Sequence, residues 1–269
     1  MRSLRAFLVF GAFFVLTFPL MPLQLLFLAT GSRYARTLPH WYHRQVCKLV
    51  GIRLTVEGEI AEAQGVLLVA NHVSWLDITV LSALAPVSFV AKHEVASWPF
   101  VNWLAKLQRS VFVDRSRRNE AGDKANEILT RLRGGDHIVL FAEGTSSAGN
   151  GVVPFKTALL AAAKPPGGSP AGAAVSAQTL ALAYPKIHGL PLCRRGRHVV
   201  AWYGDMDLAS HAWRLLGRGP IDAHIRIGPP VPLDDFPDRK ALARYAEDKV
   251  RKDVVELLRG APRGGVAPH

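Results

Sequence analysis

The N-terminal segment constrains the fold most, because the chain carries no charged residue from Ala6 to Thr30. A helix over this run is long enough to cross the roughly 30 Å hydrocarbon core of a bilayer. Pro19 and Pro22 interrupt the run, which predicts either one bent span or two short helices that enter the membrane and return. A secretory signal peptide fits less well, because the apolar run is long and no small-residue cleavage site closes it.

Arginines flank the apolar run on both sides, at Arg2 and Arg5 and again at Arg33 and Arg36. Since both ends are basic, the positive-inside rule does not fix an orientation and is best satisfied by a hairpin with both ends in the cytoplasm. The stretch after Pro39, HWYHRQVCKLVGI, mixes aromatic, basic and apolar residues. This mixture predicts an interfacial helix that lies on the bilayer.

Charge and hydrophobicity narrow the class of protein. Hydrophobic residues make up 49% of the 269 residues, which excludes intrinsic disorder. The net charge of +12 fits a polyanionic partner, either nucleic acid or anionic lipid headgroups. We favour lipid, because no nucleic-acid-binding motif accompanies the basic residues and the N-terminus is apolar. Cys47 and Cys193 have no metal-ligand spacing and are expected to be free thiols in a reducing compartment.

Strands and helices alternate beyond Gly51. Strands are predicted at 52–58, 65–71, 87–92, 110–114 and 137–141, and in the stretches QTLALAY, HVVAWYG and AHIRIG. Helices are predicted over SWLDITVLSAL, WPFVNWLAKLQ, 119–133 and about 239–259. The Pro- and Gly-rich segment 164–176 is expected to be a surface loop. The alternation predicts an α/β fold with a mostly parallel or mixed sheet flanked by helices.

The first chemically informative stretch is NHVSWLD, which directly follows the predicted strand GVLLVA. Ligand crevices of such sheets lie outside the carboxyl ends of the strands. His72 and Asp77 would point roughly 140° apart on one regular helix, so they meet only if His72 precedes the helix. Asp77 would then fix the imidazole tautomer and leave the other nitrogen to take a proton. Alone, the pattern is more often a polar turn in which Asn71 or Ser74 caps the helix.

A second stretch, FAEGTSS, follows the strand HIVLF. Behind Glu143, the small residues Gly144 and Thr145 expose backbone N–H groups that suit an anion or a polar head. The ordinary alternative is a loop whose Thr145 or Ser146 caps a helix. Between the two stretches, Arg115 leaves a strand in SVFVDRSRR, either as a bidentate phosphate ligand or in a solvated basic turn.

Together and in this order, these segments resemble the glycerolipid (lysophosphatidate-type) acyltransferase family. NHVSWLD is similar to the family's NHxxxxD motif, VFVDR to its second motif and FAEGTSS to its FPEGT motif. The resemblance implies a glycerol-3-phosphate acyltransferase-like fold, with His72 as general base on the acceptor hydroxyl and Asp77 as its orienting partner. It further implies acyl-CoA or acyl-ACP as co-substrate, with no metal or other cofactor. Substrate-binding roles follow for the other site residues, which are Asn71, Lys92, Arg115, Glu143, Gly144 and Thr145.

Two departures from the family pattern concern single residues. Ala142 replaces the usual Pro, which should be tolerated, and Arg109 replaces a usual Gly, which is expected to alter the headgroup pocket. The stretches LAPVSFVAK, VFVDRSRR and AWYGDMDL also make the chain similar to the subgroup that acylates lyso-ornithine lipid. The acceptor of that subgroup carries an amino-acid headgroup and no phosphate.

We therefore expect a membrane-bound acyltransferase whose main acceptor is 1-acyl-sn-glycerol-3-phosphate, with lyso-ornithine lipid as the alternative acceptor. A non-catalytic basic membrane-binding protein is a further alternative, whereas a hydrolase is disfavoured because no GxSxG, HExxH or paired CxxC motif is present. The expected organisation is a membrane anchor at 1–50, a catalytic domain at 51–260 and a disordered tail at 261–269. The expected location is the inner membrane with the catalytic domain facing the cytoplasm. Expected partners are membrane lipids and acyl-CoA or acyl carrier protein, without nucleic acid.

Overall fold

A computed structural model describes residues 2–61, 65–113, 118–160 and 175–260. The loop expected at 164–176 lies almost entirely outside the described residues, as does the expected tail at 261–269.

The apolar N-terminal run forms one continuous helix, α1 (Arg2–Ala29), which passes through both prolines. By length and composition α1 could cross a membrane. A short turn leads into α2 (Tyr34–Val50), which packs against α1 and covers most of the stretch in which an interfacial helix was expected. The α2 helix ends at Gly51, whose φ of 84° is a left-handed conformation that suits glycine. The helical hairpin therefore forms between α1 and α2, not within the apolar run itself.

Nine strands form one sheet within the described residues. They are β1 (Ile52–Glu57), β2 (Val66–Ala70), β3 (Val87–Lys92), β4 (Val111–Val113), β5 (His137–Phe141), β6 (Ser176–Ile187), β7 (Leu190–Pro191), β8 (Ile221–Ile227) and β9 (Val231–Pro232). Seven of them follow the order β1-β8-β6-β2-β5-β3-β4, and β7 and β9 pair with β6.

The sheet is mixed, as the sequence predicts. Strands β6, β2, β5, β3 and β4 run parallel to their neighbours in this order, so their carboxyl ends lie at one edge. The β8 strand runs antiparallel to β6, and β1 runs parallel to β8, so these two strands at one end of the sheet point the other way. The remaining α-helices of the described residues are α3 (Leu76–Leu84), α4 (Val101–Leu107), α5 (Arg118–Arg133), α6 (Leu208–Leu216) and α7 (Arg239–Arg259).

Strand β2 is buried on both faces and joins two hydrophobic cores. Leu68 packs in one core, and its neighbours Leu67 and Val69 pack in the other. Such two-sided burial explains the continuous apolar sequence of β2. Val9 of α1 and Val46 of α2 belong to the same core as Leu68, so the N-terminal helices pack directly on the sheet.

One predicted strand is wrong. The stretch HVVAWYG has no strand: a short 3-10 turn covers Arg197–Val199, and an irregular segment follows. Val200 and Ala201 in this segment are buried, and the Trp202 N–H donates to the Val73 carbonyl at 2.9 Å. The apolar run is therefore a buried loop over the turn after β2, and its hydrophobicity does not distinguish such a loop from a strand. The sequence also did not predict α6, β7 or β9.

Candidate active site

The first site element is the turn between β2 and α3. Asn71 holds this turn in place, because its side-chain amide donates to the Leu182 carbonyl at 2.9 Å and its Oδ1 accepts from the Leu182 N–H at 2.8 Å. The amide is buried and joins the end of β2 to β6. His72 follows directly and lies before α3, as its pairing with Asp77 requires.

His72 and Asp77 are in direct contact, with 2.7 Å between Nδ1 of His72 and Oδ2 of Asp77. The same Oδ2 accepts from the backbone N–H groups of Val73 and Ser74, at 2.6 and 3.1 Å. Asp77 is fully buried at the start of α3, where the helix dipole also favours a negative charge. These interactions hold the carboxylate in one orientation and place a proton on His72 Nδ1.

Tyr184 of β6 also contacts Asp77, and the sequence analysis did not identify this residue. Its hydroxyl donates to Asp77 Oδ1 at 2.7 Å. Burial, and then the Asp77 carboxylate, raise the pKa of Tyr184 well above its ordinary value, so the phenol stays a donor. A tyrosine at the end of the apolar strand QTLALAY was the available signal, because a buried phenol needs a hydrogen-bond partner.

The second ring nitrogen of His72, Nε2, is left free by these contacts. Among the described residues Nε2 has no hydrogen-bond partner, and the imidazole lies on the wall of a cavity. The ring stacks on Phe141 at the end of β5, with centroids 4.0 Å apart. A neutral imidazole that donates through Nδ1 presents an unshared pair at Nε2, which is the arrangement of a general base.

Glu143 holds the backbone of His72 in place. Its carboxyl group is fully buried, and its Oε1 accepts from the His72 N–H at 3.2 Å. Burial raises the pKa of Glu143 to about 8, although the hydrogen bond from the His72 N–H opposes the shift. The residues that line the cavity do not include Glu143 or Asn71. In this geometry both side chains support the turn, and their substrate-binding roles stay predictions.

The cavity beside His72 has a volume of about 620 Å³ and a mostly apolar wall. It runs between the sheet and the N-terminal hairpin, so α1 and α2 supply part of its lining. Apolar lining residues include Phe13, Leu20, Met21, Val46, Ile78, Phe89, Val95 and Leu104. A cavity of this size and character suits a hydrocarbon chain.

Three other predicted site residues line this cavity. Gly144 and Thr145 lie beside His72, and Gly144 has a φ of 69° that favours glycine. Lys92, at the carboxyl end of β3, is exposed. Arg115 lies outside the described residues.

The structure corrects the expectation for Arg109. Its φ of 60° is left-handed, which is the conformation that favours a glycine at this position. Its side chain does not line the cavity, because it turns to Asp136, before the amino end of β5, and forms an ion pair at 2.7 Å. The Arg109 side chain therefore lies at the amino ends of these strands, paired with Asp136, and not on the cavity wall.

Replacing Tyr184 by Phe is predicted to lower kcat about tenfold, because Asp77 loses one of its charge-assisted hydrogen bonds. Steady-state kinetics at saturating substrate measure this effect. Tyr245→Phe is the matched control, since Tyr245 packs against Phe236 far from Asp77 in the fold. Equal kcat in both variants would show that Tyr184 does not position the catalytic pair.

Replacing Glu143 by Gln is predicted to preserve most of the activity at pH 7, because a carboxyl group with a pKa of about 8 is already neutral there. The folded state holds this proton up to about pH 8, whereas the unfolded chain loses it near the ordinary glutamate pKa of 4.5. The wild type therefore loses stability as pH rises between these two pKa values. The Glu143→Gln variant should not lose stability over this pH range. Denaturant unfolding across that pH range measures it, and identical pH slopes would contradict the assignment.

Comparison with known proteins places this geometry in a family. A sequence model described as "Acyltransferase" matches residues 53–170. A lyso-ornithine lipid O-acyltransferase of Brucella abortus is 45% identical, over 96% of this chain and 97% of that protein. A 1-acyl-sn-glycerol-3-phosphate acyltransferase of Neisseria meningitidis is 32% identical, over 71% of this chain and 70% of that protein.

A solved structure has the same fold. The crystal structure of a 1-acyl-sn-glycerophosphate acyltransferase from Thermotoga maritima superposes with a TM-score of 0.66 and covers 98% of this chain and all of that one, at 22% identity. The same family is indicated by the sequence motifs, by the contact between His72 and Asp77 and by the similar proteins. The chain belongs to the acyltransferase family and is an O-acyltransferase that acts on lysolipids.

Proposed function

We propose that the protein transfers a fatty acyl group from an acyl thioester to the hydroxyl of lyso-ornithine lipid at a membrane surface. The observation that carries the chemistry is the His72–Asp77 pair on the wall of an apolar cavity. The relative from Brucella abortus, which matches this chain over nearly its full length, supports the acceptor.

The reaction needs no acyl-enzyme. Nε2 of His72 takes the proton of the acceptor hydroxyl while the hydroxyl oxygen attacks the thioester carbonyl carbon. Asp77 stabilises the imidazolium that forms, because its carboxylate stays fixed on Nδ1. The tetrahedral intermediate then expels the thiolate, which takes the proton from His72 and leaves as the free thiol.

The segment after Glu143 is suited to stabilise the oxyanion. Thr145 and Ser146 line the cavity beside His72, and among the described residues their backbone N–H groups have no hydrogen-bond partner. Unpaired N–H groups beside a reacting carbonyl stabilise the charge that develops in the transition state.

The contacts of α1 hold it along the catalytic domain. Arg5 donates to the carbonyls of Leu216 and Val50, the last residues of α6 and α2. Gln24 donates to the Leu107 carbonyl at the end of α4. The two anchor points are about 28 Å apart on a regular helix, so α1 lies against the domain over most of its length.

The opposite face of α1 is apolar and exposed, with large side chains at Phe7, Leu8, Val15, Phe18, Leu25 and Leu26. Exposed Trp103 of α4 and Trp213 of α6 lie on helices that pack against α1. Exposed apolar surfaces of this extent, with tryptophans beside them, are typical of membrane contact. We propose that α1 lies in the inner membrane and that the domain faces the cytoplasm, where acyl-CoA and acyl-ACP are available.

The charged residues at the rim of the cavity favour an acceptor with an amino-acid headgroup. Lys92 and Glu94 both line the cavity and are exposed, and neither side chain forms an ion pair with another described residue. A free cation and a free anion at one rim match the carboxylate and ammonium of ornithine. A phosphate group would pair with Lys92 but would be repelled by Glu94, so it would use only one of the two charges. The acceptor first expected from the sequence, 1-acyl-sn-glycerol-3-phosphate, therefore becomes the second candidate.

The test compares the two lysolipids with matched acyl chains and one acyl donor, using purified full-length protein. We expect kcat/KM to be higher for lyso-ornithine lipid by roughly tenfold or more, since polar headgroup sites discriminate strongly. A higher kcat/KM for 1-acyl-sn-glycerol-3-phosphate would contradict the proposed acceptor. Glu94→Gln should lower the preference, and Glu59→Gln, at the opposite edge of the sheet, is the matched control.

A further inference from the structure

A short surface segment after β7, residues 194–197, carries a concentration of positive charge that the proposed reaction does not use. Its sequence, RRGR, holds three arginines, and the chain has no acidic residue from Gly144 to Gly204. Arg194 and Arg195 are exposed, and Arg197 is half-buried. These three residues are called the arginine loop below. Most runs of like charge are solvated surface, so a function for this one depends on its partners and its position.

The positive charge of the arginine loop is uncompensated. Among the described residues none of its three side chains forms an ion pair, whereas Arg109 and Arg226 each bind a carboxylate. Burial lowers the pKa of Arg197, and the neighbouring charge of Arg194 adds to this effect. Like charges held close together without a counter-charge destabilise the folded protein unless an anion binds them.

The nearest acidic residues that follow in the sequence do not neutralise the arginine loop. Asp205 and Asp207 form no ion pair within the described part of the chain. Asp207 instead caps α6, because its side chain accepts from the Ser210 N–H at 2.8 Å. The arginine loop is therefore left with its charge facing solvent.

The arginine loop lies beside the turn that carries His72. Arg197 donates to the Asn150 side chain at 3.3 Å, and Asn150 belongs to the segment that follows FAEGTSS. That segment is bonded to the catalytic turn, because the Ser147 N–H donates to the His72 carbonyl at 2.9 Å. Two hydrogen bonds thus connect the arginine loop to the catalytic histidine through one short segment.

The chain that follows the arginine loop leads to the cavity. The Ala201 N–H donates to the Arg197 carbonyl at 3.0 Å, and the next residue, Trp202, donates its N–H to the Val73 carbonyl. Trp202 and Gly204 both line the cavity. The arginine loop therefore lies near the catalytic end of the cavity, at the carboxyl ends of the parallel strands, where ligands of such sheets bind.

The acyl thioester is the substrate that brings phosphate to this position. Its carbonyl has to reach His72, while the carrier at the other end of the pantetheine arm stays outside the cavity. In acyl-CoA and in acyl-ACP alike, the far end of that arm carries phosphate. Arginine binds phosphate well, because its planar guanidinium donates two parallel hydrogen bonds. Lyso-ornithine lipid has no phosphate, and its headgroup is matched by Lys92 and Glu94.

We propose that the arginine loop is the docking surface for the phosphate-bearing carrier end of the acyl thioester. This inference rests on the proposed function, because that function takes an acyl thioester as the donor. The anionic surface of a bilayer is the rival occupant. The surfaces assigned to the bilayer on α1, α4 and α6 carry large exposed apolar side chains, and residues 194–197 contain none. The carrier is therefore favoured.

Donor binding tests the docking surface without depending on turnover. Hexanoyl-CoA and hexanoyl-ACP are titrated separately into purified full-length protein in a non-ionic detergent, without acceptor, and the heat of binding is measured. The variant is Arg194→Gln, Arg195→Gln, which should fold because both side chains are exposed. We expect it to bind at least one donor roughly tenfold more weakly at low salt, since each exposed charge pair contributes little alone. Added salt should weaken the wild type more than the variant.

The matched control removes two exposed positive charges from α7, by Arg244→Gln and Lys252→Gln, at positions that do not line the cavity. It should bind both donors like the wild type. The donor for which the Arg194→Gln, Arg195→Gln variant loses affinity identifies the carrier, and a loss for both identifies the shared phosphate. Wild-type affinity of that variant for both donors, an equal loss in the control, or no binding of either donor by the wild type would overturn the proposal.

Vesicles of phosphatidylcholine with and without phosphatidylglycerol test the bilayer as occupant. A preference for phosphatidylglycerol that the Arg194→Gln, Arg195→Gln variant loses, together with unchanged donor affinity, would overturn the proposal and assign the surface to the membrane.

Turnover separates this inference from the proposed function. The Arg194→Gln, Arg195→Gln variant should raise the KM for the acyl donor and leave the KM for lyso-ornithine lipid unchanged. Donor binding that depends on the arginine loop, without transfer to lyso-ornithine lipid, would refute only the proposed acceptor. Transfer to lyso-ornithine lipid with an unchanged donor KM in the variant would refute only the docking surface.

Discussion

Replacing His72 by Gln is expected to lower kcat by about 10²- to 10⁴-fold, the usual contribution of a general base to proton transfer. The Gln side chain retains a polar group at the cavity wall but has no basic nitrogen near neutral pH. Because the cavity and its lining remain, the KM values for both substrates should change little. The measurement is steady-state kinetics on purified protein, with ester product and free thiol followed together.

The matched control for this variant is His198→Gln, an exposed histidine that is bonded to the Arg195 carbonyl and does not line the cavity. It should retain wild-type kinetics. Wild-type turnover by a correctly folded His72→Gln protein would show that another group takes the hydroxyl proton.

Replacing Asp77 by Asn should lower kcat by about 10³- to 10⁴-fold, since an amide cannot stabilise the imidazolium and no longer fixes its tautomer. The Oδ2 position accepts three hydrogen bonds, from His72, Val73 and Ser74. If the Asn side chain places its oxygen at the Oδ2 position, the negative charge is lost. If it places its NH₂ group at that position, this donor faces three other donors. The thermal midpoint should therefore fall as well, and circular dichroism separates folded from unfolded protein.

A double-mutant cycle separates the two roles in one experiment. If Asp77 acts only through His72, the double variant His72→Gln, Asp77→Asn should be no slower than the more severe single variant. Additive losses in kcat would contradict this account and give Asp77 a contact with the substrate.

Local sequence signals predicted much of the catalytic centre. His72 and Asp77 are five residues apart and both follow a buried strand, so their meeting needs only one turn and the start of one helix. Tyr184 could not be placed in the same way, because it reaches Asp77 through the pairing of β6 with β2 and lies 107 residues away. Its role depends on the strand order, which is set by the whole sheet.

The roles of Glu143 and Asn71 illustrate a second limit. A motif identifies the residues at a site, but the direction in which each side chain points depends on packing from other parts of the chain. Glu143 turns to the His72 backbone and Asn71 to Leu182. The local sequence also did not predict that α1 and α2 line the cavity. An apolar helix has the same sequence pattern whether lipid or protein covers it.

The most direct test of the central claim is rapid-mixing measurement of thiol release from an acyl thioester, with and without lyso-ornithine lipid. We predict no burst of thiol without the acceptor, and with the acceptor equal rates of thiol release and ester formation, both dependent on His72. A burst of thiol equal to the enzyme concentration in the absence of acceptor would reveal an acyl-enzyme and contradict direct transfer to the lipid hydroxyl.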